Sequence, residues 1–208
     1  NDIKGASVHA DDGSGANYQY ELKTNLENFD TAKAQLFEFS KNLTRLSGQE
    51  FHDWIAKVCD VRLLLRTYAV NVVVGMWDDY WNNCNNYYIY FNSSDKHNYK
   101  FFLIPYDYDN TLGTSSNCGV ISDSGRQDPY NWGDSGLLME RLMRFDDFKL
   151  IYKNALQELT DPTKDLFDME SSVKRIKLWQ ENIAPYVSND TDEDMVIEDK
   201  PAYWGNRH

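Results

Sequence analysis

Six oxygen-bearing side chains fall in two short stretches of the chain. Asp78, Asp79 and Asn83 lie in "GMWDDYWNN", with Asn86 three residues further on, and Asp107 and Asp109 lie in "IPYDYDN". Carboxylate and amide oxygens are the hard ligands that magnesium, manganese and calcium select. The absence of His and Cys from the set argues against zinc. An aspartate ahead of such ligands, near the metal but not on it, can orient or deprotonate a hydroxyl. The chemistry this pattern suits is activation of a hydroxyl nucleophile beside a divalent cation.

Those residues need elements that bring them together. "YQYELKT" (18–24) alternates and predicts a short strand. From Phe29, the recurrence of Leu36, Phe39, Leu43 and Leu46 marks one face of a helix. "SGQE" (47–50) has the capping-box pattern and starts a second helix, with Phe51, Trp54, Ile55 and Val58 as its apolar stripe. Asp60 is placed to cap a third. Residues 61–75 are apolar nearly all round, which predicts a buried central helix that delivers the chain to Asp78.

"NYYIYF" (86–91) and "YKFFLIPY" (99–106) predict two strands joined by the polar "NSSDKHN" turn. A tight hairpin returns to its starting edge. Asn86 and Asp107 should then be neighbours, because paired strands sit about 4.8 Å apart. Residues 113–134 predict a long loop, residues 137–159 a helix ended by Asp161-Pro162, and residues 166–183 a last helix. Residues 1–17 predict a loop or linker and 188–208 an acidic tail segment. The expected fold class is a single α+β domain over 1–208, mainly helical, with a central β-hairpin.

Lys and Arg number 21 against 33 Asp and Glu, a net charge of −12 over 208 residues. That balance argues against a nucleic-acid partner, which requires a basic face. No run approaches the roughly 20 apolar residues of a membrane span; Arg62, Arg66 and Asn71 interrupt the most apolar segment. Nothing in the sequence indicates an oligomeric state. Cys59, Cys84 and Cys118 lack metal-ligand spacing. Cys84 and Cys118 could pair as a disulfide if their loops meet.

Plainer readings exist for each feature. An Asp pair after a helix can simply cap it or start a turn. "DYDNT" (107–111) opens like a calcium loop, but Thr111 and Leu112 stand where a ligand and a glycine belong. Tyr87, Tyr88, Tyr90 and Phe91 suit a core and a sheet surface as well as a binding platform.

The order helix, Asp, Asn, hairpin, Asp is that of a protein-kinase C-terminal lobe, although neither "HRD" nor "DFG" occurs. "GMWDDYWNNCNNYYIYF" (75–91) and "FFLIPYDYDNTLG" (101–113) resemble more closely the CotH family, the spore coat protein H-like atypical kinases. The resemblance runs from Leu22 to Leu159 and is most specific from Val72 to Gly113. It implies Asp78 as catalytic aspartate, with Asp79 an alternative. It implies Asn86 (or Asn83) and Asp107 as ligands of the metal on ATP, with Asp109 as a secondary ligand.

The implied activity is phosphoryl transfer from ATP, with magnesium or manganese, or else calcium, to Ser or Thr of a secreted or surface protein. A different implied role is a non-catalytic module of a bacterial surface assembly such as a spore coat or a cellulosome. No glycine-rich loop followed by a strand lysine is legible. The chain is therefore expected to be a C-terminal lobe separated from its nucleotide-clamping N-terminal lobe, inactive by itself and extracellular or surface-located.

Overall fold

The computed structural model describes Tyr20 and residues 22–94, 100–112, 128–133, 136–164 and 166–187. After a 3-10 turn at Leu26–Asn28 come helices α1 (Phe29–Arg45), α2 (Gly48–Val58) and α3 (Val61–Val73). Strands β1 (Tyr87–Asn92) and β2 (Lys100–Pro105) follow, then helices α4 (Leu137–Leu142), α5 (Asp146–Leu159) and α6 (Met169–Val187). The protein is mainly helical, with one two-stranded antiparallel sheet among the described residues.

The helix starts follow local chemistry in part. Asp60 caps α3 by accepting the Leu63 amide at 2.9 Å, satisfying one of the donors that a helix leaves unpaired at its start. Ser47 precedes α2 but makes no side-chain cap bond, so the expected capping box is absent and only the start position holds. The stripe Leu36, Phe39 and Leu43 of α1 is buried, as are Phe51, Ile55 and Val58 of α2. Helix α3 buries Val61, Leu64, Leu65, Tyr68, Ala69 and Val72 but leaves Leu63 half exposed. It is thus less enclosed than its composition predicts.

The helix predicted over 137–159 is two helices. Met143–Phe145 tighten to three-residue bonds, Arg144 N to Arg141 O and Phe145 N to Leu142 O. Asp146 and Asp147 then supply negative charge to a fresh first turn. Of the strand predicted at 18–24, residues 18, 19 and 21 fall outside the described residues, and the other four, Tyr20 and Leu22–Thr24, are not in a strand. The leading segment, the acidic tail and Cys118 also lie outside them, so the Cys84–Cys118 pairing does too.

The hairpin docks by its inner face. Tyr87, Ile89 and Phe91 pair with Pro105, Leu103 and Phe101, whereas Tyr88 and Tyr90 pair with Ile104 and Phe102 on the exposed face. Phe101 is fully buried and stacks on Phe39 of α1 with centroids 4.2 Å apart. A bridge from Cys59 to Phe101 ties the α2–α3 junction to β2. Burying a Phe side chain stabilises by about 1.5–3 kcal/mol, so this contact fixes the hairpin on the helices.

Arg141 holds the other side together. It is buried, donates from Nη1 to the Leu43 carbonyl and from Nη2 to the Leu46 carbonyl, and lies 4.2 Å over the Phe51 ring. It thus closes the C-terminal end of α1, where unpaired carbonyls and a partial negative charge accumulate. His52 of α2 adds an edge contact, with Nε2 2.8 Å from Asp147 Oδ2 and its ring stacked on Phe148. The bond to Asp147 raises the His52 pKa above its usual value. Arg141→Ala leaves two helix-end carbonyls unpaired and is expected to destabilise by about 2–4 kcal/mol in urea unfolding. A midpoint matching wild type would contradict this account of how α1 and α4 are joined.

Candidate active site

The segment between α3 and β1 is held by aromatic anchors. Gly75 turns the chain with φ of 68°, and the Met76 amide returns to the Asn71 carbonyl at 2.8 Å. Trp77, Tyr80 and Trp81 are all buried, so the apolar neighbours of the Asp pair lock the backbone that carries it. Tyr80 also accepts the Leu138 amide at 2.9 Å through its hydroxyl, which fixes α4 to the same segment.

The two aspartates face different surroundings. Asp78 accepts three side-chain amides: Asn83 at 2.6 Å on Oδ1, and Asn85 and Asn86 at 3.0 Å each on Oδ2. Both Asn83 and Asn86, the alternatives left open by the sequence, therefore touch Asp78. Asn85 does as well, and the sequence reading did not single it out. Asn86 is buried and immediately precedes β1, whereas Asn83 is exposed.

Asp79 turns inward and is 1% exposed. It accepts the Asn82 amide at 2.9 Å and the Asn71 side chain at 3.1 Å. Burial pushes its carboxyl up to about 7, against the downward pull of those bonds and of the Trp132 indole. Of the pair, Asp78 is the one beside Asn86 at the mouth of the hairpin.

The far end of the hairpin arrives at the same place. The Tyr106 amide donates to the Asn86 carbonyl at 3.0 Å, so Asp107 is one residue beyond a backbone contact with Asn86. Asp107 is exposed and lies close enough to Asp109 to act on its carboxyl. The Asp109 pKa is raised, first by partial burial and then by the charge of Asp107, with the charge of Asp78 contributing. Two neighbouring carboxylates, Asp107 and Asp109, suit a cation. Cys84, Asn86, Asp107 and Leu112 all adopt positive φ, from 50° to 59°. Such left-handed residues other than glycine are uncommon and gather at functional loops.

Next to Asp109, Asn110 is buried and its Oδ1 has no hydrogen-bond partner. Its Nδ2 donates to Asp109 at 3.1 Å. An acceptor left bare in the interior costs about 1–3 kcal/mol, so a donor or cation arriving there is favoured. Among the described residues no three His, Cys, Asp or Glu side chains converge tightly enough to hold a metal by themselves. Two carboxylates with amide oxygens suit magnesium or manganese, which retain waters and take phosphate oxygens as further ligands. They suit a self-sufficient calcium cage less well.

Two glycines that sequence reasoning passed over clamp the Asp78 segment from outside. A Cβ on Gly133 would lie 2.4 Å from the Asn82 Cα and 2.5 Å from the Trp81 carbonyl oxygen. A Cβ on Gly136 would lie 2.9 Å from the Trp81 Cα, and its amide donates to the Trp81 carbonyl at 3.0 Å. The only signal for this was a glycine on each side of Asp134 and Ser135 at the end of a polar loop.

Two measurements check the site. Gly133→Ala drives backbone into backbone and is expected to lower stability by about 1–3 kcal/mol, as overpacking does; a thermal midpoint equal to wild type would count against the clamp. Asp79 gives a pH signature. An unfolded Asp sheds its proton near 3.8 while the folded one holds it to about 7, so this group makes stability fall as pH rises between those values. The loss is on the order of 4 kcal/mol when complete. Asp79→Asn is expected to flatten that slope in urea unfolding, and an unchanged slope would refute the assignment.

The model of the family described as CotH kinase protein matches residues 1–205. Neither a curated protein nor a solved structure matches the chain. The family match spans nearly the whole sequence, including both acidic stretches and the hairpin between them. The chain belongs to the CotH kinase protein family.

Proposed function

We propose that this chain serves the transfer of the terminal phosphoryl group of ATP to a Ser or Thr hydroxyl of a secreted or surface protein, contributing a lobe that is arranged like the larger lobe of a protein kinase and is inactive by itself. The observation that carries the reading is the meeting of the hairpin's ends: Asn86 touches Asp78 and, through its carbonyl, the residue before Asp107. Asp78 orients the acceptor hydroxyl and takes its proton as the oxygen–phosphorus bond forms. The bond to the departing ADP oxygen breaks in the same displacement. Asp107 and Asn86 hold magnesium or manganese, with Asp109 a further carboxylate at hand. The metal supplies charge neutralisation on the phosphates. Positioning and charge stabilisation carry most of the catalysis in this reaction class, so few side chains suffice.

One observation favours a second reading, a non-catalytic module of a bacterial surface assembly such as a spore coat or a cellulosome. Asp78 already accepts three amides, an arrangement that would also serve as a purely structural loop. Calorimetric titration with manganese–ATP separates the two. On the phosphotransfer reading the protein binds, and Asp107→Ala weakens binding by at least about tenfold, roughly 1.4 kcal/mol. Absence of metal-dependent nucleotide binding in wild type would leave the module reading in place.

A further inference from the structure

We propose that Asn71, Asp79 and Tyr108 form a positioning relay that fixes the Asp107–Asp109 loop relative to the segment carrying Asp78. The inference rests on the phosphotransfer reading for its functional meaning, and on hydrogen bonds outside the ligand set for its geometry. Asn71, in the last turn of α3, is 1% exposed and uses each end of its amide. Its Nδ2 donates to Asp79 Oδ2 at 3.1 Å, and its Oδ1 accepts the Tyr108 hydroxyl at 2.7 Å. Tyr108 stands between Asp107 and Asp109 in the chain. Tyr108 as a whole is 38% exposed, while its hydroxyl reaches the buried Asn71.

At the other end of the relay, the Asp79 carbonyl accepts the Asn83 and Asn85 amides at 3.1 and 3.2 Å. Those are two of the three residues whose side chains hold Asp78. One chain of bonds therefore runs from the residue between Asp107 and Asp109, through Asn71 and Asp79, to the turn that grips Asp78. Leu112 N to Val74 O at 2.7 Å and Tyr106 N to Asn86 O at 3.0 Å pin the same loop on either side.

A purely structural role would be met more cheaply by apolar packing, because burying Asp, Asn and a phenol hydroxyl together is favourable only when every bond is made. A polar chain is needed where direction matters, since hydrogen bonds fix orientation and apolar contacts do not. Outer partners of this kind orient ligands without touching the metal. Asn71, Asp79 and Tyr108 are positioning residues on this account, and Asp78 and Asp107 remain the reacting and ligating groups.

Tyr108→Phe tests the relay, because it removes one hydroxyl from a partly exposed ring. Amide hydrogen exchange is expected to rise at Tyr106 and Leu112 by about fivefold or more, with α3 and α5 still protected. Manganese–ATP affinity is expected to fall by about tenfold, as loss of an outer partner does, with Asp107→Ala as the reference for a lost ligand. Exchange at Tyr106 and Leu112 equal to wild type overturns the relay. So does a loosened loop whose manganese–ATP affinity is unchanged. If wild type binds no manganese–ATP, the phosphotransfer reading fails separately, and the exchange result alone decides whether the relay exists.

Discussion

The contact between the two ends of the hairpin governs everything that can happen at the acidic loops. A single backbone bond, Tyr106 N to Asn86 O, extends the ladder one step past the paired strands and makes neighbours of residues some twenty apart. That bond exists because Phe101 is buried on Phe39 and fixes which face of the hairpin points inward. A slip of one residue in the pairing would turn Phe101 and Leu103 outward and Phe102 and Ile104 inward. It would also separate Asn86 from Asp107. Core packing thus sets the register, and the register sets the distance between the groups proposed to bind a metal.

Around this junction the chain holds unfavourable conformations and charges. Left-handed backbone at Asn86 and Asp107, a buried Asp79 and the like charges of neighbouring Asp107 and Asp109 each oppose folding. The surroundings offset them. Trp77, Tyr80 and Trp81 bury large apolar surface beside the Asp pair, and Gly133 and Gly136 let a second backbone lie directly on that segment. Rigidity comes from the aromatic anchors; the unusual backbone stays local.

The sequence disclosed features whose cause is local. The apolar stripes of α1 and α2, the Asp60 cap and the alternation of the strands all depend on residues a few positions apart. They lie where the periodicity puts them. The convergence of Asn86 and Asp107 was legible for the same reason, as a hairpin has one simple geometry. The break at Met143–Phe145 was hidden because Leu142, Met143, Phe148 and Ile151 keep an apolar rhythm across it. Partners distant in the chain were not legible at all. Nothing near Asn71 announces Asp79 and Tyr108, and nothing near Arg141 announces Leu43 and Leu46. Asn85 sat among four similar asparagines, so only geometry could select it. Asn110, adjacent to a residue already singled out, was missed because an amide in a turn is ordinarily solvated.

The crowd of rings around Asp79 has an optical consequence. Trp81 meets Tyr68 and Tyr152 edge to face, Tyr68 meets Tyr80, and Trp132 is buried with them. Chromophores packed at fixed angles in an asymmetric interior couple to circularly polarised near-ultraviolet light, whereas Trp179, 59% exposed on α6, contributes little of that signal. The acidic loops therefore sit beside a built-in spectroscopic probe, one that would register a shift of the segment without any added label.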